Sequence, residues 1–389
     1  MSGSTGSRVS IYFGERDIVD GRFLAERILD CFETSGLEAA ALLRGVEGFG
    51  PKHGLRTDRL LTLSEDLPIA AIGVGERGAV EAAAAEVGAV SIDGLITVEP
   101  VAMARSTEVV DEPVGRWLKA SVFLGRGRRT NGIAAYEAVV ARLRAAGVEG
   151  ATVLLGVDGL LGGERQRAGF LSRNIDVPAL VVSVGPAEAV TRGLSSLRAL
   201  PGERVLTVES AHIHKRDGVL LGPPEITGEL RRLTLYSSEQ VHFGGRPVHI
   251  EAVRRLRAAG ADGATALRGV WGFDGANAPH GDTFRSLRRR VPTVTEVIDT
   301  APRVARWLEL LDEIYERYRA IVVSAIALNH FGTEDPPPTI KAGLRAFIDF
   351  AESALDEWRE QKLDPEHLYP MLTGSLLAVV DSLWALSDG

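Results

Sequence analysis

The chain has 389 residues, 45% hydrophobic and 25% charged, an ordinary globular balance with length for several domains. Its formal net charge of −8 argues against nucleic acid as a partner, because phosphate binding needs a concentrated basic face. A single cysteine, Cys31, excludes a disulfide framework and a Cys-based zinc site and fits a reducing, cytoplasmic setting. No run reaches about 18 uninterrupted apolar residues, so no membrane insertion is expected.

Residues 1–7 are rich in Ser and Gly, lack the order of a signal peptide, and read as a disordered start. Val9 to Phe13 alternates and predicts a strand. Phe23 to Ser35 predicts a helix with Phe23, Ile28 and Phe32 near one stripe and Gly36 as its cap. Ala39 to Val46 predicts a second strand, and Gly48-Phe49-Gly50-Pro51-Lys52-His53-Gly54 opens a loop that runs to about Leu60. Ile69 to Val74 follows Pro68 as a third strand, Ala79 to Val87 is an Ala-rich helix, and Gly94 to Glu99 opens a fourth strand. The same order returns as Ser121–Leu124, Ile133–Ala146, Ala151–Val157, Ala179–Val184, Ala187–Leu197 and Val205–Ser210. It returns again as Leu233–Tyr236, Val248–Ala259, Ala264–Val270, Thr293–Ile298, Arg303–Arg317 and Ile321–Ala327. Each pass is β-α-β-β-α-β, the ferredoxin-like split motif.

The copies share a phrase. Gly36-Leu37-Glu38-Ala39-Ala40-Ala41-Leu42-Leu43-Arg44-Gly45-Val46 recurs with Gly156 and Gly269 at the place of Gly45. A period of about 110 residues is too long for a solenoid unit and is the size of a small domain. The expected domains are 8–107, 117–217 and 230–332. Strands such as Ala179-Leu180-Val181-Val182 and Leu95-Ile96-Thr97-Val98 are apolar with little alternation, so both faces need cover. Helices cover one face, and the sheet of another copy is the economical cover for the other. The expected fold is therefore α+β: three tandem ferredoxin-like domains packed as an intramolecular pseudo-trimer.

Asp335-Pro336-Pro337-Pro338 is a stiff break. Beyond it, Ile340, Leu344, Phe347, Ala351, Leu355 and Trp358 keep helical spacing. Asp364-Pro365 starts a second helix with Leu372, Leu376, Val379, Val380 and Trp384. Residues 338–389 thus predict a helical hairpin that packs on the body or pairs with a second chain, making the protein a monomeric pseudo-trimer or a dimer through these helices.

Arg44-Gly45-Val46-Glu47-Gly48-Phe49-Gly50, followed by Leu63-Ser64-Glu65-Asp66-Leu67-Pro68, resembles the signature of the domain of unknown function 190 family, whose members are PII-like. Arg268-Gly269-Val270-Trp271-Gly272-Phe273 repeats its first half, and Gly156-Val157-Asp158-Gly159 keeps part of it. The resemblance covers roughly residues 8–330. It implies a trimer-like body that binds a small effector, a nucleotide or another anion, in clefts between copies. It also implies signalling through T-loop-like segments: Gly50–Leu61, Leu161–Ser172 and Asp274–Ser286 in this chain. A membrane channel or transporter as partner is implied by the resemblance alone. Two departures count against PII-type ATP binding. Pro51-Lys52-His53-Gly54 stands where PII proteins carry Arg-Gln-Lys-Gly, and the Gly-rich phosphate loop is reduced to Gly73-Val74-Gly75-Glu76-Arg77-Gly78 in copy one and Gly185-Pro186 in copy two, with neither in copy three.

Candidate effector-binding residues are Arg44, Gly45, Gly48, Phe49, Gly50, Lys52 and His53 in copy one and Arg268 and Gly269 in copy three. A Gly-rich turn with a cation beside it can present N–H groups to an anion, or the glycines can merely permit positive φ. Arg44 and Arg268 can clamp an anion, or form structural ion pairs, Arg44 with Glu47 or Glu99. Glu99 and Glu209 match and read as an ion pair or a solvated edge. His212 and His214 alternate on one strand face and could ligate a metal with His330, although a solvated strand end is the plainer reading. Arg165, Arg167 and Arg173, and Arg285 and Arg288 to Arg290, make two loops basic, as a solvated face or a dock for an acidic partner. No Ser/His/Asp, Walker or HExxH pattern occurs. The reading is a non-catalytic regulator, with a ligand-free scaffold as the rival and a metal-dependent enzyme third.

Overall fold

The structure is a computed structural model of the chain and describes residues 4–50, 54–57, 66–90, 94–105, 115–166, 177–216, 219–220, 229–243, 245–274, 279–281, 291–360 and 365–387. Copy one builds β1 (Ser4–Gly14), α1 (Leu24–Thr34), β2 (Ala39–Phe49), β3 (Pro68–Glu76), α2 (Arg77–Gly88) and β4 (Leu95–Arg105). Copy two builds β5 (Trp117–Gly125), α3 (Ala135–Ala145), β6 (Gly150–Leu155), β7 (Asp158–Leu161), β8 (Pro178–Pro186), α4 (Ala187–Leu197) and β9 (Arg204–Ala211). Copy three builds β10 (Leu230–Ser238), α5 (Val248–Ala258), β11 (Ala264–Arg268), β12 (Trp271–Asp274) and β13 (Pro292–Thr300). It then departs from the pattern into α6 (Ala301–Phe331).

All thirteen strands join three two-residue strands in one antiparallel sheet of 16 strands. Its order is β10-β13-β11-β2-β3-β1-β4-β9-β5-β8-β6-β12 before the last short strand, with β7 also on β2. Within copy one the second, third, first and fourth strands are neighbours in that order, and copy two runs the same order in reverse. Between first strand and first helix, Asp20-Gly21 and Asn131-Gly132 turn tight hairpins with φ of 52° and 77°, and 51° and 85°. Positive φ at both central residues is what a type I′ turn requires, and Asp-Gly and Asn-Gly are its sequence signals.

Each copy covers one sheet face with its own helices. In copy one, Ile28 and Phe32 of α1 and Val80 and Ala83 of α2 bury Val9, Ile11 and Ala71. The opposite faces meet in a shared cluster drawn from all three copies: Leu43, Ile72 and Met103; Phe123, Leu154 and Val182; Leu267 and Val294. The near-continuous apolar character of these strands follows from burial on both sides.

The strand predicted at Ile321–Ala327 is helix instead. Copies one and two break between second helix and fourth strand at Gly88–Gly94 and at Pro201-Gly202, whereas copy three has no glycine between Ala301 and Phe331. Helix therefore propagates through the β-branched run Ile321-Val322-Val323, and packing overrides strand propensity. His330 accordingly lies in a helix and is no counterpart of His214. Copy three has no described fourth strand.

A second compact unit holds Phe243–Gly245, Ala276–Ala278 and Glu309–Gly389, and so takes in the rest of α6 together with α7 (Pro338–Glu360) and α8 (Pro365–Ser387). Val323 and Ala327 of α6 pack with Ile340, Leu344 and Ile348 of α7 and Val380 and Leu383 of α8. Residues 338–389 thus form two helices, and the end of α6 packs with them, with Phe331 and Trp384 stacked at 5.1 Å.

Candidate functional site

The copies are joined by seams made from their second strands. β2 of copy one runs on past Arg44, and its far end pairs with β11 of copy three, Phe49 opposite Ala264. β12 of copy three pairs with β6 of copy two, Phe273 opposite Ala151. β7 of copy two pairs with the start of β2, Leu160 opposite Ala40. Three links in one direction close a cycle. A further seam joins β4 to β9, with Ala102 opposite Val208.

This geometry explains the repeated glycines. A Cβ at Gly48 would stand 2.8 Å from the Ala264 carbonyl oxygen, and one at Gly159 or Gly272 would collide with the carbonyl of Ala40 or Ala151. These matched glycines let the strand of the next copy approach. Gly45, Gly156 and Gly269 make room in the same way for Pro68, Pro178 and Pro292 of their own copies, whose nearest atoms would lie 2.7, 2.6 and 2.9 Å from a Cβ, and Gly269 also for Thr152 of copy two at 2.8 Å. Gly45, Gly48 and Gly50 are absent from the positive-φ residues, so a left-handed turn is not the reason for them. Of the candidates, Gly45, Gly48 and Gly269 are packing glycines, Phe49 is buried at the seam, and Gly50 faces open space. Lys52 and His53, much of the T-loop-like segments, and Arg167, Arg173, Arg285 and Arg288–Arg290 lie outside the described residues.

Arg44 and Arg268 are held within their own copies. Arg44 Nη2 donates to Glu15 at 2.9 Å and Arg268 Nη2 to Glu239 at 2.5 Å. Each pair is the same pair, 29 residues apart in both copy one and copy three. The partner of Arg44 is Glu15, not Glu47 or Glu99.

Each seam sets the residue after the shared Gly-Val against the first helix of the next copy, and the three meetings differ. Glu47 is buried on β2 and its Oε1 lies 3.7 Å from Arg254 Nε of α5, an arginine left 45% exposed. In copy two Asp158 takes that place. It accepts from Arg165 at 3.0 Å, and Arg165 also pairs with Asp30 of α1, which matches Arg254 in the repeat. In copy three the place is taken by Trp271, which packs with Tyr136 against the copy-two core. One cleft thus has an acid below an exposed cation, one is tied shut by an arginine between two acids, and one is apolar.

A charge cluster missed by sequence reasoning lies where the first strands converge. Arg8, Lys119 and Arg232 occupy one position in the three first strands, each opposite Val74, Val184 or Ile298. Arg8 pairs with Glu99 of its own copy and with Glu209 of copy two, the latter at 2.6 Å. Arg232 reaches Glu99 of copy one at 3.0 Å, and Lys119 reaches Glu209 at 3.0 Å. Among the described residues copy three has no fourth strand to supply a carboxylate. Glu296, from its third strand, stands where the other copies have Ile72 and Val182; it lies 3.5 Å from Arg232 and accepts from Tyr12 Oη at 2.8 Å. Three cations and three carboxylates balance. Burial would raise Glu209, but Arg8, Lys119 and Arg232 outweigh it and hold that carboxyl far below the usual carboxylate range. Glu296 is lowered against the same burial by Arg232, Lys119 and Arg8. Burial and the neighbouring Arg8 lower Lys119, and burial pushes the Tyr12 phenol up. The signal for this cluster was a polar residue at a fixed place in otherwise apolar strands. Cys31 is buried, and that burial pushes its thiol up to about 11, which disfavours the thiolate. Among the described residues no group of three or more His, Cys, Asp or Glu could hold a metal, so His212 and His214 find no third ligand there.

The model of the DUF190 family (Uncharacterized ACR) matches residues 6–103, 117–213 and 230–327. A UPF0166 protein of Aquifex aeolicus (strain VF5) is 30% identical over 77 residues, 20% of this chain and 73% of that protein. Among solved structures, a proposed glycine cleavage system transcriptional repressor is 6% identical and covers 53% of this chain and 97% of its own, with a TM-score of 0.17. A proposed monooxygenase of Fusobacterium nucleatum is 6% identical over 53% and 92%, with a TM-score of 0.19. Scores this low carry no argument about this chain.

Proposed function

The chain belongs to the DUF190 family, and on that footing we propose that it is a PII-like, non-catalytic regulator: three ferredoxin-like copies closed as a pseudo-trimer within one chain, taking a small anion or nucleotide in a cleft between copies. The observation that carries the reading is the cycle of β2–β11, β12–β6 and β7–β2 seams, which makes three clefts of one geometry and three chemistries. The effector cleft is the one between copies one and three. Its Arg254 is the seam cation left exposed, and the Gly48–His53 segment begins beside it. Arg165 closes the second cleft and Trp271 fills the third. Effector binding would signal to a partner through the T-loop-like segments, loop rearrangement being an established switching device. A channel or transporter as that partner, and a cytoplasmic setting, belong to the same proposal. No helix of the described residues is long and apolar enough to cross a membrane.

The test is calorimetry and thermal shift against a panel of nucleotides and inorganic anions. The expected result is stabilisation by at least one of them, lost in Arg254→Ala and kept in Arg165→Ala. Silence across the panel would favour the ligand-free scaffold, a reading that the internal pairing of Arg44 and Arg268 supports.

A further inference from the structure

One missing strand accounts for two open edges. In copies one and two the first strand is paired on both sides, β1 by β3 and β4, and β5 by β8 and β9. Among the described strands β10 has β13 alone. The other open edge belongs to copy one: β4 pairs with β9 only through Ala102–Arg105, so Leu95–Val98 has a strand on its β1 side alone. Large apolar side chains are exposed along both edges: Leu95 at 37%, Val98 at 41%, Leu230 at 54% and Tyr236 at 38%. Arg232 Nη2 on β10 lies 3.5 Å from Thr97 Oγ1 and 3.1 Å from Glu99 Oε1 on β4, which puts the two edges within a side chain's length of each other. The β4–β9 seam shows how a strand is seated here: one end lies beside its own first strand, and the other continues along the fourth strand of the next copy. A strand following that rule in copy three would run beside β10 and on to Leu95–Val98.

The charge count says what such a strand carries. β4 and β9 deliver Glu99 and Glu209 opposite Arg8 and Lys119. Opposite Arg232 the carboxylate is already supplied by Glu296, so a further acid would upset the balance. A second copy offering its own β10 would bring another Arg232 and upset it in the other direction. We propose that this slot receives an extended segment of a partner protein, added as a β-strand, alternating in apolar and small polar residues and uncharged opposite Arg232. Main-chain hydrogen bonds along an open edge supply affinity in such docking, and alternate side chains supply specificity. The proposal stands apart from the effector cleft and survives if no effector exists.

The probe is a fluorescein-labelled peptide with the sequence of β9, Arg204 to Ala211, made as it stands and with Glu209→Gln, titrated against the full chain by anisotropy. The glutamine form is expected to bind saturably and at least tenfold tighter than the glutamate form, and a scrambled peptide not at all. Val98→Lys in the protein is expected to weaken binding at least tenfold with no loss of thermal stability. Absence of saturable binding by the glutamine peptide, or equal binding of the scrambled one, overturns the proposal. So does a free chain that sediments as a dimer and cross-links through Thr234→Cys on oxidation, because the slot then belongs to a second copy.

Discussion

Glu296→Gln tests whether the central charge cluster is balanced as described. The substitution keeps the shape and an acceptor for the Tyr12 hydroxyl, but removes one of three carboxylates facing Arg8, Lys119 and Arg232. Side chains of Arg8, Arg232 and Glu296 are 4%, 7% and 7% exposed, so water screens the excess charge poorly. Removing one partner of a buried pair costs about 3–5 kcal/mol. A ceiling comes from Lys119, which burial and Arg8 already lower. Should the cluster become too positive, this lysine releases its proton, which at pH 7 costs about 4.6 kcal/mol from a reference near 10.4. The expected loss is therefore roughly 3–4 kcal/mol at pH 7, measured by urea denaturation, with Tm lower by roughly 5–15 °C. The sign with pH follows. The excess charge is fully present below the Lys119 pKa of the variant and is relieved as pH rises through it, so the gap between variant and parent narrows from pH 7 to pH 9. Lys119→Met added to Glu296→Gln restores equal charges and is expected to recover more than half of the loss. A loss under about 1 kcal/mol at pH 7, or no recovery in the double variant, refutes the reasoning.

Further outcomes follow from other residues. Gly159→Ala drives a Cβ into the Ala40 carbonyl at the seam between copies two and one and is expected to cost about 3 kcal/mol or more, whereas Gly50→Ala meets nothing and should leave chemical denaturation unchanged. Glu209 and Glu296 are both held low, so their contribution is complete above the unfolded value near 4.3 and is lost as pH falls through the folded values. Tm should be flat from about pH 5 to pH 8 and fall steeply below pH 4, and Glu209→Gln should flatten that acid limb. Ala327→Asp puts a charge into the core of the helical unit and should lower helical circular dichroism on heating well before the sheet signal is lost.

How much of this was legible in sequence depends on distance. Local patterns placed the first three strands and both helices of each copy, because apolar period and Gly or Pro punctuation act within a few residues. The run Ile321-Val322-Val323 misled for the same reason. Its β-branched residues favour a strand, but the missing glycine upstream and the apolar faces of α7 and α8, farther along the chain, decide for helix. The repeated glycines stood out as a motif, yet their cause is a carbonyl from another copy: Ala264 for Gly48, Ala40 for Gly159, Ala151 for Gly272. A reading confined to one copy has no view of that carbonyl and turns to anion binding instead. For Arg44 the sequence offers an anion clamp or a pair with Glu47 or Glu99, and Glu15 is not among them because it becomes a neighbour only when β1 and β2 flank β3. The Arg8–Lys119–Arg232 cluster escaped because each residue, alone, is one charge in a strand.

The closed cycle of seams also sets an order of events during synthesis. Copy one emerges first, as nascent domains do, but both halves of β2 await partners still to be made: Leu42 awaits Asp158, and Phe49 awaits Ala264. The ring cannot shut until β12, ending at Asp274, has cleared the ribosome and found Gly150 to Val153. For most of translation the chain therefore carries raw strand edges of the kind that recruit neighbouring nascent chains. A protein so built depends on the speed of its own completion, and a pause between copies two and three is the moment at which it is most exposed to aggregation.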